Sequence, residues 1–469
     1  MAKRKKQKIL PEIEITALGA KGRGIGTAPD GRVVFVPYTA PGDTVDVLVR
    51  KKRKNYYEGK ALRFHRYSPE RTEPACAYFG ICGGCQLQHI HYDAQLKWKG
   101  RNVLENIRRI GKTEPVETKP VLASPKIWEY RNKMEYAFTS RRWLTREEVE
   151  SGREYDRRGA GFHIPGQWDK ILDIDRCRLQ PEPGNEIRNA LRDFAKENEI
   201  SFYDPVTREG LLRQLTVRIM KSGEQMLIVH FAADEKEIIR RVMDFLQERF
   251  PSVTSLHYVV NPKPNDSIYD LEVILWSGKP YIVEEIDGLR FRVKPKSFFQ
   301  TNSWQTENLY RQVMQYAAIR PEDTVYDLYS GTGTMSLLAA RQAAKVVGIE
   351  TVPQAVEDAR ENARDNALDN VFFEQGDVKN LFNEDLIKRY GKPDILITDP
   401  PREGMHKDIV RQILEVLPRR IVYVSCNSAT QARDIELLKK NYELRLVQPV
   451  DMFPQTYHTE NIAVLELKA

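Results

Sequence analysis

Hydrophobic and polar positions change rhythm along the chain. Between about 12 and 49 short apolar runs alternate with turn residues. Ile13, Ile15 and Ala17 alternate with polar neighbours, Gly19, Gly22, Gly24 and Gly26 follow, and Asp30-Gly31 marks a hairpin. Val33-Val34-Phe35-Val36-Pro37, the turn Pro41-Gly42-Asp43 and a further run over 44–49 complete the segment. Several short strands with such punctuation predict a small β-barrel. From 92 to 110 the period lengthens. Leu96, Val103, Leu104, Ile107 and Ile110 fall on one helical face, and Gly111 stands as a C-cap. The stretch 129–285 is mixed: 133–138, 215–218 and 225–231 read as strands, 235–249 as an amphipathic helix, and the charged 141–158 as a surface loop. From 324 onward short β-branched runs (324–329, 345–350, 371–375, 394–399, 420–426) alternate with helical segments starting near 335, 353, 378, 407 and 429. Two closing strands follow, 442–450 and 459–467. That alternation predicts a doubly wound, mostly parallel α/β sheet. The expected division is a barrel over 1–66, a mixed α+β central domain over 67–285, whose helix 92–110 is free to pack elsewhere, and an α/β domain over 286–469.

Composition narrows the class. A chain of 469 residues, 41% of them hydrophobic, has material for two or three cored domains. No run of 18 apolar residues is present, so no membrane-spanning helix is expected. The basic start has no apolar stretch behind it and does not read as a secretory signal. Five cysteines are too few for a disulfide scaffold, which points to a reducing, cytoplasmic setting. Charge is concentrated: residues 1–66 carry sixteen Lys/Arg against six Asp/Glu, while the whole chain has a net charge of only +7. A basic barrel suggests a polyanion partner bound through its phosphates. Residues 1–8 read equally well as a solvated tail. Lys51-Lys-Arg-Lys-Asn-Tyr-Tyr57 sets cations beside aromatics, which suits phosphate pairing and base stacking, or an ordinary edge strand.

Two clusters carry chemistry. Cys76, Cys82 and Cys85 have the spacing C-x5-C-x2-C, with glycines at 80, 83 and 84, and Cys177 is the one other cysteine outside the last domain. Four such thiolates suit zinc or an iron–sulfur centre, and spacing alone leaves both open. His89 and His91 are additional candidates only in a zinc site. In the last domain the first strand runs into Asp327-Leu-Tyr-Ser-Gly-Thr-Gly333, and the second ends at Glu350. A glycine turn at a helix N-terminus with an acid beyond it suits an adenosyl ligand, and by itself leaves nicotinamide, flavin and S-adenosylmethionine open. The third and fourth strands end at Asp377 and at Asp399-Pro-Pro-Arg402. The fifth ends at Ser425-Cys426-Asn427, before a helix whose N-terminus is expected to lower the thiol's pKa.

Gly22-Arg-Gly-Ile-Gly26, Val34-Phe-Val-Pro37 and Pro41-Gly-Asp43 resemble a TRAM domain, an RNA-binding barrel. Ser297-Phe-Phe-Gln-Thr-Asn302, Asp327–Gly333, Asp399-Pro-Pro-Arg-Glu-Gly404, Val424-Ser-Cys-Asn427 and His458-Thr-Glu460, in that order, resemble the RNA uracil-5-methyltransferases. The nearest likeness is to the subgroup with a TRAM domain and an iron–sulfur cluster that acts on 23S ribosomal RNA. The resemblance implies a Rossmann-like methyltransferase domain using S-adenosylmethionine, held by Gln300, Tyr329, Gly331, Gly333, Thr334, Glu350, Asp377 and Asp399. It implies Cys426 as nucleophile, Glu460 as general base and Asp399 beside them. It also implies Cys76, Cys82, Cys85 and Cys177 as 4Fe–4S ligands, in a monomer working on RNA. Thr334 stands where many members carry Asn, and 141–170 is longer than usual. Transfer RNA is the alternative substrate. A cytosine-5-methyltransferase would place a cysteine after the first proline of Asp399-Pro-Pro. A radical enzyme would show C-x3-C-x2-C. A non-catalytic RNA-binding protein would leave Cys426 and Glu460 without a role.

Overall fold

The computed structural model describes residues 8–469. Apart from Lys8, the basic stretch 1–8 lies outside the described residues. The first five strands, β1 (Ile9–Gly19), β2 (Arg23–Thr27), β3 (Val33–Pro37), β4 (Thr44–Lys52) and β5 (Tyr56–Arg66), close in the order β1-β2-β3-β5-β4. Alternate residues Ile13, Ile15, Val34, Val36, Val45 and Val47 fill the interior. The barrel is narrow enough to need its glycines: a Cβ on Gly24 would stand 2.1 Å from Thr39 Oγ1, and one on Gly26 2.5 Å from Ile13 Cγ2. Tyr57 departs from the expected stacking role. Its ring is buried in this core, and its hydroxyl donates to Asp30 Oδ2 (2.7 Å).

A seven-stranded sheet forms the middle of the molecule, with Lys133–Thr139, Leu212–Ile219 and Gln225–Phe231 near its centre. Two helices, Gly184–Glu197 and Lys236–Arg249, face each other across stacked Phe194 and Phe245, centroids 4.0 Å apart. The charged stretch read as loop contains a short helix, Arg146–Glu150, because Thr145 and Glu148 form a capping box. The start of strand Lys133–Thr139 meets the last domain: Asn132 donates its N–H to Thr301 O (2.8 Å) and Nδ2 to Gln300 O (2.9 Å).

The third sheet has eight strands, in the order Val371–Gln375, Lys345–Glu350, Thr324–Leu328, Ile395–Thr398, Arg420–Ser425, Glu460–Leu467, Tyr442–Val450, Glu117–Thr118. The first five are mutually parallel. Glu460–Leu467 then runs antiparallel to Arg420–Ser425. Chain order reverses between Thr324–Leu328 and Ile395–Thr398, the switch point at which such sheets open a crevice beyond the strands' carboxyl ends. Helix α1 (Tyr92–Arg109) lies on this domain. Val103 and Ile107 share a core with Ala432, Ile435 and Leu438, and Asn106 Nδ2 donates to Ser428 Oγ (2.8 Å). Among the described residues no helix is long and apolar enough to cross a membrane.

Candidate active site

The strand order converts sequence positions into a row. Along the carboxyl edge of the five parallel strands, and onto the antiparallel neighbour, stand Asp377, Glu350, Tyr329, Asp399, Cys426 and Glu460, one at each successive strand end. At roughly 4.8 Å per strand the row is about 24 Å long. Residues far apart in sequence therefore become neighbours in sheet order.

The left half of the row surrounds the glycine turn. Tyr329 (φ 69°), Gly331 (φ 55°) and Gly333 (φ 83°) adopt left-handed backbone between the strand and the helix Thr334–Ala340. A Cβ at Gly333 would come within 2.9 Å of Phe373. Glu350 pins this turn: its carboxylate accepts from Gly331 N–H (3.0 Å) and Val352 N–H (2.8 Å). Asp377 caps the helix Val378–Leu381 through Lys379 N–H (2.9 Å). Thr334 is the first residue of its helix and is buried. Asp327, below the turn, accepts from Ser336 Oγ (2.6 Å), while its other oxygen is buried without a partner. Burial pushes its carboxyl up to about 7.

The right half is acidic and closely coupled. The ladder between Arg420–Ser425 and Glu460–Leu467 pairs Arg420 with Glu466 and ends at Ser425 with Asn461. Cys426 follows Ser425 and Glu460 precedes Asn461, so the two leave the ladder at the same end. Asp399, on the strand between Tyr329 and Cys426, is pushed up to about 7 by burial and then by the charge of Asp327. Glu460 is 5% exposed, and burial followed by Asp399 raises its carboxyl well above the usual range. Tyr310, buried beneath, feels Asp399, Asp327 and Glu460, and the Gln300 side chain also acts on its hydroxyl. Gln300 thereby joins the same cavity wall.

Cys426 does not behave as the helix N-terminus suggests. Burial, Glu460 and Asp399, in that order, push its thiol up to about 11, and Arg402 pulls it partly back. The helix Ser428–Leu438 has its first donor occupied, because Asn427 Oδ1 accepts Ala429 N–H (3.2 Å). Two nearby carboxylates and desolvation outweigh what is left of the helix dipole. In the sequence Arg402 stands out only as part of a motif. Here it is a cation acting on both Cys426 and Glu460, and its Nη2 lies 3.3 Å from His458 Nδ1. Its carbonyl holds the thiol loop by accepting from Asn427 Nδ2 and Thr430 Oγ1 (3.0 Å each).

The cysteines form a separate centre. Cys82, Cys85 and Cys177 pack on the middle core. Burial pushes the Cys82 thiol up to about 11 and that of Cys85 up to about 12, with Cys177 and Cys76 adding to both. The four thiols therefore lie within electrostatic reach of one another. Backbone polar groups of the loops are tied down beside them: Cys76 N–H donates to Gln88 Oε1 (3.1 Å) and Cys177 N–H to Asn185 Oδ1 (2.7 Å). Among the described residues no three His, Cys, Asp or Glu side chains are close enough to hold a single ion. His89 is buried between Tyr38 and Phe79, and neither ring nitrogen has a partner.

Similarity to known proteins follows the same geography. Residues 11–62 match the TRAM domain model, and residues 279–468 match the model for tRNA (uracil-5-)-methyltransferases. An uncharacterized RNA methyltransferase of Bacteroides thetaiotaomicron is 48% identical over 96% of this chain and 100% of its own length. One from Porphyromonas gingivalis is 45% identical over 97% of this chain and 99% of its own. The crystal structure of Pyrococcus abyssi tRNA (uracil-54, C5)-methyltransferase in complex with S-adenosyl-L-homocysteine is 31% identical. It superposes with a TM-score of 0.74 over 96% of this chain and 99% of that one.

Proposed function

Because the chain belongs to the RNA uracil-5-methyltransferase family, we propose that it methylates carbon 5 of a uridine through a covalent bond between Cys426 and the base. The observation that carries this reading is the thiol and a buried carboxyl at neighbouring strand ends, beside Asp399, on the edge that also bears the glycine turn.

Carbon 5 of uracil is a poor nucleophile. Addition of the Cys426 thiolate to carbon 6 makes the ring an enolate whose electron pair sits at carbon 5. Bound S-adenosylmethionine would supply the methyl group from its sulfonium, in the crevice lined by Tyr329, Gly331, Gly333, Thr334, Glu350 and Asp377. Glu350 would take the ribose hydroxyls there with the acceptor capacity left beside its two amide bonds. Glu460 then removes the carbon-5 proton. That pair of electrons restores the ring double bond, the carbon–sulfur bond breaks, and Cys426 leaves as thiolate. Help of this kind contributes roughly 10²–10⁴-fold. Asp399 and Gln300 are assigned to the base's polar edge and the donor. Burial and mutual repulsion raise the pKa of both Asp399 and Glu460, so Glu460 has to be ionised before it takes the carbon-5 proton and, once ionised, is a stronger base than an ordinary carboxylate.

The target base has to leave its stack, at a cost on the order of a few kcal/mol. Phosphate pairing with the barrel's cationic hairpin offsets this. Cys76, Cys82, Cys85 and Cys177 are assigned to a 4Fe–4S cluster. What supports this is the C-x5-C-x2-C spacing with Cys177 as a fourth thiol and the mutual electrostatic influence of these cysteines. The cluster would brace the middle domain and is given no step in methyl transfer.

We assign 23S ribosomal RNA as the substrate, on the likeness of motif order and cysteine spacing. Transfer RNA is the second reading, favoured by the likeness to the Pyrococcus protein. Unmodified 23S and transfer RNA transcripts, incubated with methyl-labelled donor and digested to nucleosides, test both. Label in 5-methyluridine from 23S RNA supports the assignment. Label from transfer RNA alone moves the substrate, and label in any other nucleoside overturns the reaction.

A further inference from the structure

Residues 451–459 join the strands Tyr442–Val450 and Glu460–Leu467 as a strap that ends at Glu460. Its supports come from far upstream in the chain. Gln455 N–H donates to Gln95 Oε1 (3.1 Å), and Gln455 Oε1 accepts from Gln95 Nε2 (3.0 Å). The Gln455 carbonyl accepts from both Gln86 N–H and Leu87 N–H (3.0 Å each). Gln455 is buried with φ 69°, a conformation a non-glycine residue keeps only where its surroundings impose it. One turn further along the same face of α1, Lys99 donates to Asp451 Oδ1 (2.6 Å) and to the Phe453 carbonyl (3.1 Å). Lys99 and Asp451 are 2% and 0% exposed. Tyr130 Oη donates to the Pro454 carbonyl (2.9 Å). Gln86 directly follows Cys85, so the cysteine loop is itself one of the supports.

We propose that Gln95, with Lys99, is a positioning residue for proton removal: α1 grips the strap at Gln455 and Asp451 and thereby aims Glu460 at carbon 5. This rests on the reading above that Glu460 takes that proton. Cys426 is held mainly from elsewhere, by the strand Arg420–Ser425 and by the Arg402 carbonyl, and the strap touches that support at one polar contact, His458 Nδ1 with Arg402 Nη2 (3.3 Å). Glu460 is the first residue of its strand and pairs with Val450 at the last rung of that ladder, so the chain entering it, residues 451–459, sets how this end of the ladder closes. A displacement of about 1 Å at a reacting group is enough to slow its step severely. Loss of the grip should therefore spare thiol attack and methyl transfer and slow the last step, in which the carbon-5 proton passes to Glu460 and the carbon–sulfur bond opens.

The test uses the full-length chain as Gln95→Met, which keeps volume and loses the bonds to Gln455. Gln455→Asn serves as a second variant, tolerating left-handed backbone while falling short of Gln95. RNA transcribed with 5-fluorouridine stops after methyl transfer, because fluorine at carbon 5 cannot leave as a proton. The expected result is adduct formation on fluorinated RNA within about twofold of the unaltered protein. On uridine RNA, turnover should fall about tenfold or more, with adduct persisting on denaturing gels and KM for the methyl donor unchanged. Equal slowing on both RNAs, or normal turnover on uridine RNA, overturns the positioning role and leaves the proposed reaction standing. Absence of any adduct between the unaltered protein and fluorinated RNA overturns the reaction and this inference with it.

Discussion

Cys426 and Glu460 each adjoin the last ladder pair, Ser425 with Asn461, at neighbouring strand ends, and Glu460 is the largest charge acting on the thiol. Opposed residues of an antiparallel pair project from the same face with Cβ atoms about 4.5–5.5 Å apart. A thiol bonded to carbon 6 and a base reaching for a proton on carbon 5 need a separation of that order. The antiparallel closing strand is what makes it possible: in an all-parallel sheet the start of that strand, and Glu460 with it, would lie at the opposite edge.

The acidity of the thiol is the first consequence. Iodoacetamide alkylation of Cys426, read by peptide mass spectrometry, should show a midpoint near 11, because burial and two carboxylates disfavour the thiolate. The thiolate is the reactive form, so between about pH 7 and 9 the rate should climb about tenfold per pH unit. Arg402→Ala removes the cation that favours the thiolate, and should move the midpoint up and the rate at about pH 8 down. Glu460→Gln removes an opposing negative charge and should move it down. A midpoint below about 9 in the unaltered protein, the ordinary range of a thiol, contradicts this electrostatic account.

RNA affinity should depend on the hairpin between β4 and β5. The side chains of Lys52, Arg53 and Lys54 make no ion pair among the described residues, and all three are exposed. Replacing the three with alanine should weaken binding to all RNA sequences alike. The slope of log affinity against log salt should shrink by about 0.7–0.9 for each phosphate the hairpin no longer neutralises. An unchanged slope would place the RNA elsewhere.

Protein purified without oxygen should contain iron and acid-labile sulfide. Cys177→Ser should lose most of both, since that thiol reaches the other three from a separate loop. Stoichiometric zinc without iron contradicts the cluster assignment.

The α/β alternation is legible in the sequence because the inner parallel strands are buried on both faces and read as apolar runs rich in β-branched residues, such as 345–350 and 420–425. Every strand end in the row can be marked in advance, since glycine turns and Asp-Pro-Pro end strands by local chemistry. Order along the row is not legible, because strand order is set by long-range packing. The hairpin strands Gly159–Ile164 and Gln167–Asp173 leave no clear signal, as their exposed residues break the period of two. Tyr57 looks like a base platform beside four cations, but the barrel core claims its ring. The direction of the Cys426 shift is hidden for a related reason: the helix lies next to the thiol in sequence, whereas Glu460 and Asp399 reach it only through the sheet. The strap 451–459 offers a motif but no hint that α1, 360 residues upstream of Gln455, holds it.

The central claim, that one thiol and one carboxyl divide the work on a single pyrimidine, is tested most directly by Glu460→Gln incubated with unmodified RNA and methyl donor. A protein–RNA adduct should build up on a denaturing gel, with peptide mapping placing the methylated base on Cys426. Turnover should fall roughly 10²–10⁴-fold, and the adduct should be absent from Cys426→Ala. Release of 5-methyluridine RNA at the normal rate, or an adduct on any other residue, would contradict it.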